Sequence, residues 1–157
     1  MSLQFVGVLV SDIHKTLFYL QLKDDTHPIK QFRNCYAFFG GGIEEGETAT
    51  LALSRELEEE LEAHVAEKIL KQAHFLFIQQ IVPKFGPNKN KVCEYTLFES
   101  CLTLEELQTL AVFPIKEGKA GILVLRKNLK KVLFLEDLYS VLDRYLSLNL
   151  DASFDLL

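Results

Sequence analysis

The sequence lacks the cysteine and histidine patterns of a disulfide-rich or zinc-binding protein. Its three cysteines, Cys35, Cys93 and Cys101, are widely spaced and odd in number, and no CxxC pair occurs. Small secreted domains that depend on disulfides carry more cysteines, in regular patterns. The four histidines form no HExxH pair. This usage favours a reduced, cytoplasmic compartment.

Long apolar runs and an excess of positive charge are also missing. No run approaches the roughly 20 residues of a membrane-spanning helix, and no basic-then-apolar signal segment opens the sequence. The formal net charge is −5, which disfavours a protein that coats nucleic acid. A small anion is still an allowed ligand, because a metal ion can supply the local positive charge. We therefore expect neither a membrane nor a nucleic acid as partner.

The remaining composition suits one globular domain over residues 1–157. The chain is 48% hydrophobic and 25% charged, as is usual for a globular protein, and it is long enough to bury a core. No repeat or low-complexity linker divides it. Only the tail, residues 149–157, is expected to fray.

The hydrophobic pattern predicts strands that alternate with helices. The predicted strands cover residues 3–12, 16–23, 35–39, 73–82, 91–102 and 121–126. The predicted helices cover residues 48–63, 103–110 and 135–148, with Thr48 and Thr103 as N-terminal caps. A glycine-punctuated loop, residues 40–47, precedes the first helix. This order predicts an α/β fold, with a mixed β-sheet covered by helices.

Glutamate is concentrated near the end of the first predicted helix, where five of the seven residues from 56 to 62 are glutamate. At about 100° per residue, Glu56, Glu59 and Glu60 share one arc beside a leucine stripe. Carboxylates held together at a partly buried edge are costly unless a cation neutralises them. Oxygen ligands of this kind suit Mg²⁺ or Mn²⁺. The cluster therefore indicates a metal site, although glutamate is also common in ordinary solvated helices.

The spacing around the cluster is more specific than the cluster itself. Gly41 is followed after five residues by Glu47, and after seven more by the run R-E-L-E-E-E from Arg55 to Glu60. This arrangement resembles the Nudix box, G-x5-E-x7-R-E-U-x-E-E-x-G-U, where U is a bulky aliphatic residue. Arg55 is the only positive charge on the helix, and it could reach back to Glu47 and brace the loop.

The sequence departs from the box at its end and just before it. The late glycine of the pattern, which normally ends the helix, is Glu62, and the last aliphatic residue is Ala63. The proline that is common before the glycines is Phe39. We expect the helix either to end in a different turn or to continue past Glu60. Neither departure removes an expected metal ligand.

The resemblance implies a fold, a reaction and roles for particular residues. Nudix hydrolases are α/β/α sandwiches with a mixed sheet, and they hydrolyse a nucleoside diphosphate linked to another group with Mg²⁺ or Mn²⁺. Carried over by position, the metal ligands are Glu56, Glu59, Glu60 and the backbone carbonyl of Gly40. Gly41, Glu47 and Arg55 are structural by the same comparison, and Glu56 is also a candidate catalytic base.

A second, shorter resemblance bears on the substrate. The segment K-E-G-K-A-G, residues 116–121, is similar to the K-E-G-x-x-G loop of MutT-type nucleoside triphosphate pyrophosphohydrolases. Glu117 is therefore a candidate extra ligand or general base, and an ordinary solvated turn is the alternative. Signatures of ADP-ribose, dinucleoside polyphosphate and coenzyme A hydrolases are missing, with Gln79 near the position where the first two carry proline or tyrosine.

These features favour a MutT-type enzyme that acts on (d)NTPs. A nucleotide-sugar or ADP-ribose pyrophosphatase is one alternative, and a non-enzymatic nucleotide-binding module is another. Arg33 and Lys30 are weaker candidates for binding the substrate phosphates. Further candidates for phosphate or base contacts are Lys84, Lys89, Lys91, Phe38, Phe39, Phe75, Phe77, Phe85 and Tyr95. The apolar face of the C-terminal helix could support a homodimer.

Overall fold

The computed structural model describes residues 3–154, and side chains up to residue 148. The strands are β1 (Leu3–Asp12), β2 (Leu17–Leu22), β3 (Tyr36–Ala37), β4 (Phe39–Gly42), β5 (Ala73–Ile81), β6 (Cys93–Leu102) and β7 (Ala120–Leu125). The α-helices are α1 (Ala49–Glu60), α2 (Ala63–Gln72), α3 (Leu104–Ala111) and α4 (Tyr139–Phe154). No helix in this part of the chain is long and apolar enough to cross a membrane.

The seven described strands form one mixed sheet in the order β3-β2-β1-β6-β5, with β4 paired to β1 and β7 paired to β2. β1 and β6 are parallel along their whole length, from Leu3 opposite Cys93 to Asp12 opposite Leu102. The other strand pairs are antiparallel. The predicted mixed sheet is therefore confirmed.

Alternation along β1 places apolar side chains on both faces of the sheet. Val6, Val8 and Val10 belong to a core that also contains residues of α1, α2 and α3. Leu9 belongs to a second core, on the other face, that contains Leu142 and other residues of α4. Both faces are covered by helices, so the predicted α/β/α sandwich is confirmed.

The helix predicted over residues 48–63 is shorter than expected. Thr48 caps it as predicted, because its Oγ1 accepts a hydrogen bond from the Leu51 backbone N–H at 3.2 Å. The helix ends at Glu60, and Leu61 and Glu62 both have extended backbone angles. The expected continuation of the helix past Glu60 is therefore wrong. A second helix, α2, begins at Ala63, and the sequence analysis did not predict it.

The strand predicted over residues 35–39 is divided into β3 and β4, because the chain passes from one partner strand to another. β3 pairs with β2, whereas β4 pairs with β1 and contains the three glycines that were predicted as loop. Gly40 lies opposite Gly7 with φ of 144°, and a Cβ there would fall 2.1 Å from the Val6 carbonyl oxygen. Only glycine fits this close approach of two strands.

The C-terminal helix also differs from its prediction. A 3₁₀ turn, Glu136–Leu138, precedes α4, which continues to Phe154. The tail predicted to fray thus lies partly within this helix, and residues 155–157 lie outside the described residues. Val141, Leu142 and Tyr145 are each 0% exposed against the sheet. Their packing fills the apolar face on which a homodimer was expected to form, and the oligomeric state stays a prediction.

Candidate active site

The loop before α1 is held by an ion pair between Arg55 and Glu47. Arg55 Nε lies 2.8 Å from Glu47 Oε2, and Arg55 Nη2 lies 2.8 Å from Glu47 Oε1. The same Nη2 donates to the Gly42 carbonyl at 2.9 Å. The hydrogen bond from Arg55 is the main reason that the pKa of Glu47 falls to about 2. This bidentate ion pair is the one expected from the sequence, and it links the loop to the helix.

Glu56 lies against the bare backbone of β4. A Cβ on Gly41 would come within 2.4 Å of the Glu56 carboxyl carbon, so glycine leaves the space that this carboxylate occupies. Arg55 Nη1 contacts Glu56 Oε1 at 3.0 Å. Burial raises the pKa of Glu56, the charges of Glu59 and Glu117 raise it further, and Arg55 opposes the shift.

Glu60 is the most deeply buried carboxylate of the box, with 3% of its surface exposed. Its Oε1 accepts a hydrogen bond from the Gly40 backbone N–H, and its Oε2 accepts one from Gln21 Nε2, each at 2.8 Å. Burial raises the pKa of Glu60 to about 8, against the hydrogen bond from Gly40 and the charge of Lys23, while the charges of Glu117 and Glu56 add to the rise. An anion here has hydrogen-bond donors but no ion-pair partner among the described side chains.

Glu59 does not join the other two carboxylates. It is 53% exposed and contacts Arg55 Nη1 at 3.4 Å. Among the described side chains, no group of three or more His, Cys, Asp or Glu is arranged to hold a metal ion. Arg55 draws both Glu56 and Glu59 towards itself, so the three ligands predicted on one arc are not assembled in advance. Their role as metal ligands, together with the Gly40 carbonyl, stays a prediction.

The donor chemistry nevertheless suits a divalent cation. Glu56 and Glu60 both have pKa values raised by burial and by neighbouring carboxylates, a cost that a bound cation would offset. Carboxylate oxygens beside a glycine strand are hard ligands of the kind that Mg²⁺ and Mn²⁺ prefer.

The loop that carries Glu117 is bonded to the end of the glutamate helix. The backbone N–H groups of Lys116 and Glu117 donate to the Glu60 carbonyl at 2.7 and 3.4 Å, and Lys116 Nζ donates to the Glu58 carbonyl at 3.2 Å. These contacts satisfy carbonyls that a helix end leaves free. Glu117 therefore lies near the box glutamates, consistent with its effect on their pKa values.

A cavity of about 300 Å³ opens beside the same strand. Gly40 and Gly41 form one side of it, and the rest of its lining is mainly aromatic and aliphatic, including Phe38, Phe85 and Tyr95. Its polar side chains are Lys23, His27, Asn88 and Asp137. Burial and the charge of Lys23 lower the pKa of His27, which favours a neutral ring.

Most of the weaker candidates lie away from this cavity. Lys30 and Arg33 are exposed and do not line it, and Arg33 Nε donates instead to the His27 carbonyl at 2.8 Å. Lys84 pairs with Glu136 at 2.8 Å. Phe39 and Phe77 are core residues, and Phe75 is 55% exposed on β5. Phosphate binding by Lys30 and Arg33 stays a prediction.

Sequence reasoning overlooked three polar residues near the site, namely Gln21, Lys23 and His27. One available signal was the position of Gln21, a polar residue inside the apolar run of β2. The run predicted the strand but not the direction in which its polar side chain points. His27 gave no signal because no metal-binding pattern surrounds it.

The mixed sheet, the glycine strand and the glutamate helix together define a Nudix-type fold and box. A family model of the NUDIX domain matches residues 4–118, and the chain belongs to the Nudix family. The predicted family is therefore confirmed, and so is the predicted class of enzyme, a pyrophosphohydrolase. Enzymes of this family generally need a divalent metal.

Solved structures of the same fold are distant in sequence. The Escherichia coli ORF135 protein aligns with a TM-score of 0.61 at 14% identity, covering 94% of this chain and 90% of that one. The MutT protein from Methanosarcina mazei Go1 aligns with 0.60 at 14% identity, covering 94% and 95%. The NUDIX domain of Shewanella oneidensis NrtR, complexed with ADP ribose, aligns with 0.59 at 11% identity, covering 94% and 89%. No curated protein matches this chain. Identities this low show the fold alone.

Proposed function

We propose that this chain is a MutT-type (d)NTP pyrophosphohydrolase that uses Mg²⁺ or Mn²⁺ and releases monophosphate and pyrophosphate. The observation that carries the proposal is the contact between the Glu117 loop and the end of α1, where Lys116 N–H lies 2.7 Å from the Glu60 carbonyl. That contact brings the K-E-G-K-A-G segment to the end of the helix that carries the box glutamates.

The aromatic lining of the cavity supports the proposal that the substrate has a flat base. Phe85 is partly exposed on the lining and offers aromatic surface of the kind that stacks on a base, while the buried rings of Phe38 and Tyr95 form the apolar wall behind the cavity. A sugar has no flat aromatic face that could stack on such a ring. Lys23 lies on the lining as well, so a phosphate chain bound in the cavity would have a positive charge close by.

The residues of the box divide the remaining work. Glu56, Glu59, Glu60 and the Gly40 carbonyl would hold the ion, which when bound neutralises phosphate charge and acidifies a water molecule. The raised pKa of Glu56 suits it to accept the proton of the attacking water, and Glu117 is the other candidate base. The ion pair of Arg55 and Glu47 holds the glycine strand and the helix in register.

The first experiment is a hydrolysis screen with Mg²⁺ and Mn²⁺. The panel contains normal and oxidised nucleoside triphosphates, nucleotide sugars, ADP-ribose and dinucleoside polyphosphates, and mass spectrometry identifies the products. We expect a triphosphate to give monophosphate and pyrophosphate. Release of orthophosphate instead would contradict the proposed position of attack.

Two other outcomes would replace the substrate. Turnover of a nucleotide sugar or ADP-ribose would keep the metal site and reject the triphosphate. No turnover across the panel, together with thermal stabilisation by a nucleotide, would favour a binding module.

We also propose a cytoplasmic location, which the three free cysteines support.

A further inference from the structure

Gln21 connects three parts of the site through one buried side chain. It lies on β2 and is 2% exposed. Its Nε2 donates to Glu60 Oε2 at 2.8 Å and to the Glu117 backbone carbonyl at 3.0 Å. Its Oε1 accepts a hydrogen bond from Lys23 Nζ at 3.1 Å. One amide thus contacts the box helix, the Glu117 loop and a cation that lines the cavity.

Lys23 determines which way the amide of Gln21 faces. An ammonium group only donates hydrogen bonds, so the amide oxygen must point to Lys23. The amide NH₂ then has to point to Glu60 and to the Glu117 carbonyl, both of which are acceptors. A side chain without two donors at this position would leave those acceptors unpaired.

The sheet itself does not need this amide. The backbone of Gln21 is paired on both sides, with Ala37 of β3 and with Gly121 of β7. The side chain instead packs against the loop, because a Cβ on Gly118 would lie 3.3 Å from Gln21 Cγ. The contacts of the side chain are therefore with the site.

We propose that Gln21 is a positioning residue, which aims the second carboxylate oxygen of Glu60 and holds the Glu117 loop against the box helix. The inference rests on the proposed function, because it assigns a role within the same metal site. Partners that orient a ligand in this way commonly contribute about 10- to 100-fold in metal affinity.

The test measures Mn²⁺ binding without substrate, by electron paramagnetic resonance of the free ion. We expect Gln21→Met to raise the Mn²⁺ dissociation constant about tenfold. Gln79→Met is the matched control, because Gln79 makes one side-chain hydrogen bond, to Ser140 on α4, and does not line the cavity. Its dissociation constant should equal that of the unmodified protein.

A second variant keeps the test valid if Gln21→Met does not fold. Gln21→Asn retains an amide but is shorter by one methylene, so it cannot reach Glu60, and the same weakening is expected. A positioning defect should also be relieved by excess Mn²⁺, with kcat recovering towards the unmodified rate. A general structural defect would not respond to the metal.

The outcomes separate this inference from the proposed function. If the unmodified chain binds no Mn²⁺ and hydrolyses nothing, the proposed function fails, and the role of Gln21 fails with it. If the unmodified chain binds Mn²⁺ and both Gln21 variants bind it with the same dissociation constant as the unmodified chain, only the positioning role is overturned. Combining a Gln21 variant with Glu117→Gln should reduce activity by less than the two single reductions multiplied together, because Gln21 is proposed to act partly by positioning the Glu117 loop.

Discussion

Glu60 on α1 and Glu99 on β6 are each 3% exposed, yet they are compensated in different ways. Glu99 has fixed partners, because Lys15 Nζ lies 3.1 Å from its Oε2, His74 Nε2 lies 3.2 Å from its Oε1, and the Tyr145 hydroxyl donates to Oε2. Glu60 has an amide and a backbone N–H instead.

The difference is the one expected between a structural carboxylate and the metal ligand that Glu60 is predicted to be. Glu99 is paired with the Lys15 ammonium of the β1–β2 turn and also contacts the His74 ring and the Tyr145 hydroxyl, so its polar contacts are made without a ligand. Arg55 is the only basic residue on α1, and it is already paired with Glu47, Glu56 and Glu59. Without an ion pair, burial raises the pKa of Glu60 to about 8, and an external cation would favour its charged form.

The largest expected effect is on activity at the uncompensated carboxylate. Glu60→Gln and Glu56→Gln should each reduce metal-dependent turnover to background while the protein stays folded, because the amide cannot replace an anionic ligand. Steady-state kinetics at saturating Mg²⁺, with circular dichroism, measures both quantities. Glu58→Gln, which is exposed on the same helix, is the control. Full activity in both site variants would remove these glutamates from the metal site.

The next effect is on stability at the compensated carboxylate. Glu99→Ala should lower the free energy of unfolding by on the order of 3 kcal/mol, because it removes a buried carboxylate that Lys15 and the Tyr145 hydroxyl both contact. Urea unfolding measures the change, and Glu94→Ala on the same strand is the control. If Glu60→Gln destabilises the metal-free protein as much as Glu99→Ala does, the contrast between the two sites is wrong.

A smaller effect should come from adding the metal. Mn²⁺ at a hundredfold excess over its dissociation constant should stabilise the unmodified protein by about 2.7 kcal/mol. At about 2–4 °C per kcal/mol, the melting temperature should rise by roughly 5–10 °C. Glu60→Gln should lose most of this rise, and Glu94→Ala should keep it. An equal rise in both variants would place the ion elsewhere.

The smallest effect concerns acid stability at Asp12, near the turn that carries Lys15. Burial would raise the pKa of Asp12, but hydrogen bonds from Leu17 and Thr16 lower it overall. A carboxyl group with a lowered folded pKa stabilises the protein above its unfolded pKa of 3.8, and this contribution disappears as the pH falls through the folded value.

Asp12→Asn should therefore remove part of the fall in melting temperature between neutral and strongly acidic pH. Thermal unfolding across that range measures the loss, and Asp25→Asn, at an exposed position, is the control. An unchanged acid profile in the Asp12 variant would show that the turn hydrogen bonds do not depend on the charge.

The sequence predicted the elements that depend on local pattern. β1 has the predicted bounds, because its apolar run is long and ends at a turn. Thr103 caps α3 as predicted, and Glu106 completes a capping box with it. Helix α2 was not predicted, although Val65, Ala66 and Ile69 are buried along it, because its N-cap residue, Glu62, makes no side-chain capping hydrogen bond and gives no start signal.

The site was less predictable than the fold because its contacts join distant residues. The helical wheel grouped Glu59 with Glu56 and Glu60, but it could not show that Arg55 would hold Glu59 at the surface. The partner of Glu60, Gln21, is 39 residues away in sequence and reaches it only through the sheet. Spacing along one helix therefore locates the carboxylates without giving their partners.

The backbone at Leu61 and Glu62 shows that the box helix can end without the glycine that the motif requires. The box pattern asks for glycine at position 62, but here the backbone leaves α1 through two residues with negative φ, angles open to any amino acid. Position 62 can therefore carry residues other than glycine while the helix still ends at Glu60. A motif search that insists on that glycine would reject this chain and others whose helices end in the same way.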